Sequence, residues 1–307
     1  MPILRGLGIR PLRSPFTATA IGNFDGLHLG HRKILRFLVV AAEADGLEPL
    51  VLTFSPHPEK VLGRSRIAMI QTIAQRLEGI RTQGVKTTVV APFNRAFSLL
   101  SKEEFARDVI VSVLHSKLVV VGENFRFGRR REGDIRELRR LGRVFGFSVR
   151  PVSAAVRRGK MVSSSLIRKL LQAGRVEEAA DLLGRPYEIE GRVIRGSARG
   201  RSLGIPTANI ETANEITPAG VYLTEVLIGR NAFPSLTNVG RRPTFGRDTL
   251  HIESYLFGFR GSAYGRRIRL RFFRKLRPER KFAAPEALIT QINADIAAAG
   301  SFFRGRI

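Results

Sequence analysis

A chain of 307 residues, 43% of them apolar, can bury two cores and is too apolar to be mainly disordered. It has no cysteine, which excludes disulfides, thiolate metal sites and a cysteine nucleophile, and its five histidines form no HExxH-type ligand pair. The net charge of +26 asks for an anionic partner, but arginine is spread along the whole chain, and the densest cluster (126–143) lacks the aromatic interleaving of a nucleic-acid stacking surface. Nucleotide phosphates are therefore the expected anions, and nucleic acid is not an expected partner. The first thirty residues show no signal-peptide pattern, and no apolar stretch approaches the roughly 18 residues of a membrane span. A cytoplasmic protein without a membrane partner is the expectation, with self-association left open.

Residues 17–21 are small, β-branched and apolar, as a buried strand should be. Residues 33–44 place Ile34, Leu35, Leu38, Val39 and Ala42 at helical spacing. Between them AIGNFDGLHLGH (20–31) is a glycine-punctuated turn, so the segment predicts a strand, a phosphate-sized loop and a helix start with free backbone N–H groups. Further strands are predicted at 50–54, 87–91, 117–121 and 147–152, and helices at 72–83, 101–114, 134–141 and 164–173. Such alternation predicts a parallel sheet with helices on both faces and ligands at the carboxyl ends of its strands. The 20–31 loop, SPHP (55–58) and GENFRFG (122–128) all follow predicted strands and are expected at one edge.

After Leu183-Gly184-Arg185-Pro186 the pattern becomes alternating and β-rich, at 187–194, 221–228, 232–238, 250–257 and 267–273. A single helix is predicted at 285–299. The expected architecture is a Rossmann-like α/β domain carrying HxGH, over residues 1–184, followed by a small antiparallel β-barrel with a C-terminal helix, over 185–307.

The first half suggests nucleotidyl transfer. His28 and His31 should lie side by side on the first helical turn, with Gly30 leaving room for a phosphate to approach. Ser163, Ser164 and Ser165 precede a helix carrying Arg168, a set of hydroxyls, helix-start amides and a guanidinium suited to phosphate oxygens. Attack on an α-phosphate needs positioning and charge stabilisation more than a protein nucleophile. In the second half, GRVIRGSARGRSLGIPTAN (191–209) is rich in glycine and arginine. Thr207 and Asn209 offer two oxygen donors on one side of an extended segment, which suits Mg²⁺.

The chain resembles the bifunctional bacterial riboflavin kinase/FAD synthetase family over nearly its whole length. In the first half the resemblance rests on GNFDGLHLGH (22–31), TFSPHP (53–58), GENFRFG (122–128) and VSSSLIRKLLQAGRVEEAADLLGRPY (162–187). In the second it rests on GRSLGIPTAN (200–209), PAGVY (218–222), TNVGRRPTF (237–245), IESYLF (252–257) and LRPERKF (276–282). The resemblance implies that Gly22, Asn23, Phe24, His28, Gly30, His31, Ser163, Ser164 and Arg168 serve the ATP triphosphate. His57 and Asn124 are implied near the FMN whose phosphate attacks. In the second domain it implies Thr207 and Asn209 for Mg-ATP, and Gly196, Gly200, Arg201 and Gly204 around the nucleotide phosphates. Glu253 is implied as the base for the terminal ribityl hydroxyl, and Arg277 as part of a flavin-side flap. Ser254-Tyr255 stands where many relatives have valine and histidine, a difference expected to touch packing rather than mechanism.

Two other readings are weaker. HLGH followed by KMVSSS (160–165) also resembles the paired signatures of class I aminoacyl-tRNA synthetases, but the signature lysine between the serines is absent and the second half looks nothing like an anticodon-binding domain. A non-catalytic flavin- or nucleic-acid-binding protein has no need of His28, His31, Thr207, Asn209 and Glu253 together.

Overall fold

The computed structural model opens with β1 (Ile3–Arg5) and β2 (Thr17–Ile21), followed by α1 (Leu29–Ala44) and β3 (Glu48–Phe54). The described residues are 3–5, 16–63, 67–196, 205–244, 247–280, 282 and 284–304. They fall into two units, Met1–Ser164 and Ser165–Ile307.

In the first unit α2 (Pro58–Val61), α3 (Ile73–Arg81), β4 (Thr87–Ala91), α4 (Arg95–Ser98) and α5 (Lys102–Glu104) follow. A π-helix (Phe105–Val113), β5 (Ser116–Gly122), α6 (Ile135–Phe145), β6 (Ser148–Val152) and a hairpin of β7 (Val156–Arg157) and β8 (Lys160–Met161) come next. Strands β1 to β6 form one sheet in the order β1-β4-β3-β2-β5-β6, and every pairing in it is parallel. Alternation along the strands explains both layers. Ala18, Ala20, Val51, Leu118 and Val120 face Leu35, Leu38 and Ala42 of α1. Their neighbours Ile21, Leu50, Leu52, Val119 and Val121 face the π-helix and α6. Strands buried on both faces must be apolar throughout, which is why the sequence reads as short apolar runs here.

The segment expected as one helix at 101–114 is a single α-turn, capped reciprocally by Ser101 and Glu104, that continues as the π-helix. Its buried residues, Phe105, Ala106, Val109 and Ile110, fit either winding over so short a run.

The second unit holds α7 (Ser164–Gln172, from Ser165 on), α8 (Val176–Leu183), six strands and α9 (Pro285–Arg304). Strands β9 (Tyr187–Ile194), β10 (Ala208–Thr212), β11 (Gly220–Ile228), β12 (Asn231–Thr244), β13 (Arg247–Leu256) and β14 (Arg267–Arg277) close into an antiparallel barrel in the order β10-β13-β12-β11-β14-β9. Its interior is filled by Tyr187, Ile189, Tyr222, Leu270 and Phe272. A chain of buried hydroxyls joins them: Thr224 contacts Ser235 at 2.8 Å and Thr237 at 2.6 Å, and Thr237 contacts Ser254. Ser254 is thus a packing residue, as expected. On the outside, Val221, Leu223 and Leu236 pack against Ala299 and Phe303 of α9. The elements β1, β10, α8 and the β7–β8 hairpin were not expected; β1 and the hairpin are too short to carry a period of their own.

Candidate active sites

The loop after β2 is built on strain that its own side chains offset. Gly22 donates its N–H to the Leu52 carbonyl at 3.1 Å. The chain then takes positive φ at Phe24 (51°), Gly26 (87°) and Leu27 (44°). For Phe and Leu that conformation costs about 1–2 kcal/mol each. Both side chains are 2% exposed or less, in the core beneath α1, and burying one such side chain returns roughly 1.5–3 kcal/mol. Asp25 turns inward, and its carboxylate accepts the N–H groups of Ile70 (3.1 Å) and Gln71 (3.2 Å). The Asp25 carbonyl accepts from Ser164 Oγ at 2.9 Å, which joins the serine run to the loop.

Beneath the loop lies Arg76 of α3, 3% exposed. Its Nη1 donates to the Asn23 carbonyl (2.9 Å), the Phe54 carbonyl (3.1 Å) and Thr53 Oγ1 (3.2 Å). One guanidinium therefore ties the carboxyl ends of β2 and β3 together. Burial lowers its pKa, and the Asp25 carboxylate opposes that shift.

His28 is the N-cap of α1, and its Nδ1 accepts the His31 N–H at 3.3 Å. An Nδ1 that accepts carries no proton, so in the neutral ring the proton is on Nε2. The two imidazoles stack with centroids 3.6 Å apart and planes 17° apart, and Phe24 meets His31 edge-on at 5.3 Å. A Cβ added at Gly30 would come within 3.1 Å of His28 Cε1, so the glycine makes room for the imidazole itself. Capping and an anion role are compatible, because Nδ1 serves the helix while Nε2–H and the α1 dipole offer positive charge beyond it.

The loops after β2, β3 and β5 meet at a cleft of about 1420 Å³. Gly22, Asn23, His57 and Asn124 line it, together with Phe54, Phe93, Phe97, Phe105, Phe125 and Phe127. His57 caps α2 through Nδ1, which accepts the Glu59 N–H at 3.2 Å. Five arginines (95, 126 and 129–131) and two glutamates (59 and 132) also border the cleft. A wide slot with aromatic walls and a basic rim suits a flat ring system bearing a phosphate. His28 and His31 lie outside its lining.

In the second unit the register collects the other expected residues. Asn209 pairs with Glu253, Glu253 with Asn238, and Asn238 with Val221, so β10, β13, β12 and β11 present one continuous row. Directly opposite residues share a face, with Cβ atoms about 4.5–5.5 Å apart. This face is the outer one, since Leu223 and Leu236, two residues along from Val221 and Asn238, pack against α9. Asn209 also lies against the backbone of Gly196, where an added Cβ would stand 2.1 Å from Nδ2. Arg277 makes a bidentate ion pair with Asp295 of α9 (Nε–Oδ1 3.2 Å, Nη2–Oδ2 2.8 Å), and Gln291 donates to the same carboxylate. The expected flap residue is thus an anchor between β14 and α9.

Gly200, Arg201 and Gly204 lie outside the described residues. Arg168 is buried on α7. Three residues of these sites, Asp25, Arg76 and Asn238, were not expected from the sequence. The first two act through side-chain partners 22 to 53 positions away, which no local pattern reports. Asn238 lies within a recognised motif, but only the strand register singles it out.

Known proteins resemble this chain over both of its units. Residues 13–166 match the FAD synthetase family and residues 183–303 the riboflavin kinase family. The bifunctional riboflavin kinase/FMN adenylyltransferase of Pseudomonas fluorescens is 38% identical over 302 residues, covering 97% of each chain. That of Escherichia coli K12 is 34% identical over 286 residues, covering 92% of this chain and 91% of its own. A crystal structure described as a macrolide-efflux protein from Streptococcus pneumoniae superimposes with a TM-score of 0.89 at 27% identity, covering 97% of this chain and 98% of its own. Among the described residues of this chain no helix is long and apolar enough to cross a membrane.

Proposed function

We propose how this chain, which belongs to the bifunctional riboflavin kinase/FMN adenylyltransferase family, divides two ATP-dependent reactions between its residues. One reaction phosphorylates riboflavin to FMN and releases ADP. The other transfers an adenylyl group from ATP to the FMN phosphate, giving FAD and pyrophosphate. We assign the second to residues 1–184 and the first to 185–307, and the protein to the cytoplasm.

For adenylylation the supporting observation is the cleft that joins the β2 loop to His57 and Asn124. The aromatic walls take the flavin, with His57 and Asn124 beside it. The FMN phosphate attacks the α-phosphate of an ATP bound over Gly22, Asn23, Phe24 and the start of α1. Negative charge builds on the equatorial oxygens, where His28 Nε2–H, His31 and the α1 amides donate. Ser163, Ser164 and Arg168, one turn after Ser164 on α7, hold the departing pyrophosphate.

For phosphorylation Glu253 takes the proton of the terminal ribityl hydroxyl as that oxygen attacks the γ-phosphate. Thr207 and Asn209 would hold Mg²⁺. Asn209, opposite Glu253 in the strand register and lodged against Gly196, and Thr207 two residues before it offer neutral oxygens, a hard donor set that fits the ion. When bound, Mg²⁺ neutralises phosphate charge. Gly196, Gly200, Arg201 and Gly204 are assigned to the nucleotide phosphates, and Arg277 to shaping the flavin side through Asp295.

The test is chromatography of flavins after incubation with riboflavin or FMN, ATP and Mg²⁺. Glu253→Ala should stop FMN formation yet still convert supplied FMN to FAD, and the double variant His28→Ala/His31→Ala should do the reverse. A folded variant that lost both activities would overturn the division.

A further inference from the structure

In the row Asn209–Glu253–Asn238, the third side chain has no part in the chemistry assigned to the other two. Asn238 is half-buried, but its Oδ1 is fully buried and has no hydrogen-bond partner among the described residues. A buried carbonyl oxygen costs free energy unless a donor reaches it. Its cross-strand neighbours supply none: Glu253 is acceptor-only when ionised, and Val221 on the other side is apolar. Along its own strand the same face carries Leu236, packed on the α9 side, and Gly240, against whose backbone the Glu279 carboxylate lies. The other polar side chains that the register puts on this face, His251, Tyr255 and Arg277, make no hydrogen bond to this oxygen either.

We propose that Asn238 is a substrate-binding residue whose Oδ1 accepts a hydrogen bond from an internal hydroxyl of the ribityl chain, next to the hydroxyl that is phosphorylated. The inference rests on the reading of Glu253 as the base. A polyol carries several neutral O–H donors in sequence, so one can reach Asn238 while another meets Glu253. The terminal hydroxyl gives its proton to Glu253 as its oxygen forms the new bond to phosphorus and the bond from the γ-phosphorus to the ADP oxygen breaks. A neighbouring hydroxyl, one or two carbons back, then falls opposite β12, where Asn238 stands across the strand pair from Glu253. The contact fixes the chain so that the reacting oxygen is presented to the base. It also selects for a hydroxylated chain, because a site built around a buried acceptor discriminates against a ligand without the matching donor.

The experiment uses the full chain and two flavins: riboflavin, and an analogue whose side chain is 5-hydroxypentyl, keeping the terminal hydroxyl and lacking the internal ones. Riboflavin is scored by its KM for phosphorylation and the analogue by its inhibition constant against that reaction. Asn238→Ala is expected to raise the riboflavin KM about tenfold and to change the analogue's inhibition constant less than twofold. FMN adenylylation by the same preparation should be unaltered, which reports folding. A rise shared equally by both flavins, or a rise in neither, overturns the proposal. So does a rise in the Mg-ATP KM in place of the riboflavin KM, which would make Asn238 a metal-side residue. Glu253→Ala is measured in parallel. Retained phosphorylation there would remove Glu253 as base, while the ratio between the two flavins still decides Asn238.

Discussion

His28 and His31 stack at 3.6 Å while the Nδ1 of the first accepts the backbone N–H of the second, so the imidazole that caps the start of α1 is also the one proposed to donate to phosphate. The two duties can be separated. His28→Asn keeps a good N-cap, so stability should change by no more than a few tenths of a kcal/mol. Loss of the Nε2–H donor should lower FAD formation from FMN by about 10²–10³. Urea denaturation and adenylylation rates on one preparation check both parts, and riboflavin phosphorylation should stay at its original rate.

Arg76 is expected to matter for both stability and adenylylation. Arg76→Met takes a donor from three acceptors, of which the Asn23 carbonyl keeps the Thr53 hydroxyl, and leaves the Asp25 carboxylate without its nearby cation. Removing one partner of such an arrangement costs about 3 kcal/mol or more. The FMN KM of the adenylylation step should rise as well, since β2 and β3 lose their common tie. A denaturation midpoint equal to that of the original protein would rule this account out.

The Arg277–Asp295 pair is suited to a double-mutant cycle. Its side chains are 13% and 7% exposed, so breaking it from one side leaves a charge in a poorly solvated place. Asp295→Asn should destabilise by about 3 kcal/mol. The double variant Asp295→Asn/Arg277→Leu should recover much of that loss, because no unpaired charge remains. The riboflavin KM should rise in the single variant if α9 shapes the flavin side.

Glu137 on α6 sets an acid-range dependence. Hydrogen bonds from Arg140 and Lys102 hold its carboxyl at about 2, below the ordinary 4.5. A carboxylate with a depressed pKa contributes stability that is complete above about 4.5 and lost as pH falls through about 2. The pair is near the surface, so Glu137→Gln should cost no more than about 1 kcal/mol at pH 7. That difference should close between pH 4.5 and pH 2 in parallel denaturation series.

Much of the nucleotide site is legible in the amino-acid sequence alone. The turn at 20–31 announces itself through glycine, histidine and a following helical period, all within one short stretch. Paired serines ahead of a helix, and the prolines around His57, are likewise local signals. Arg76 and Asp25 stay invisible there because their meaning lies in contacts with Phe54, Thr53, Ile70 and Gln71, segments distant in the chain. Arg277 falls within a recognisable strand motif, but its commitment to Asp295 depends on where α9 docks.

Local order, then, is written into the chain: which segments alternate, where a helix begins, and where a turn interrupts them. These follow from side-chain period and turn geometry, which act between near neighbours. Packing decided the rest. The parallel order β3-β2-β5 brought three loops to one cleft, and barrel closure set Asn209, Glu253 and Asn238 in a single row. Register has that power because a slip of one residue would turn every side chain of a strand to the opposite face, and only the closed sheet selects among registers.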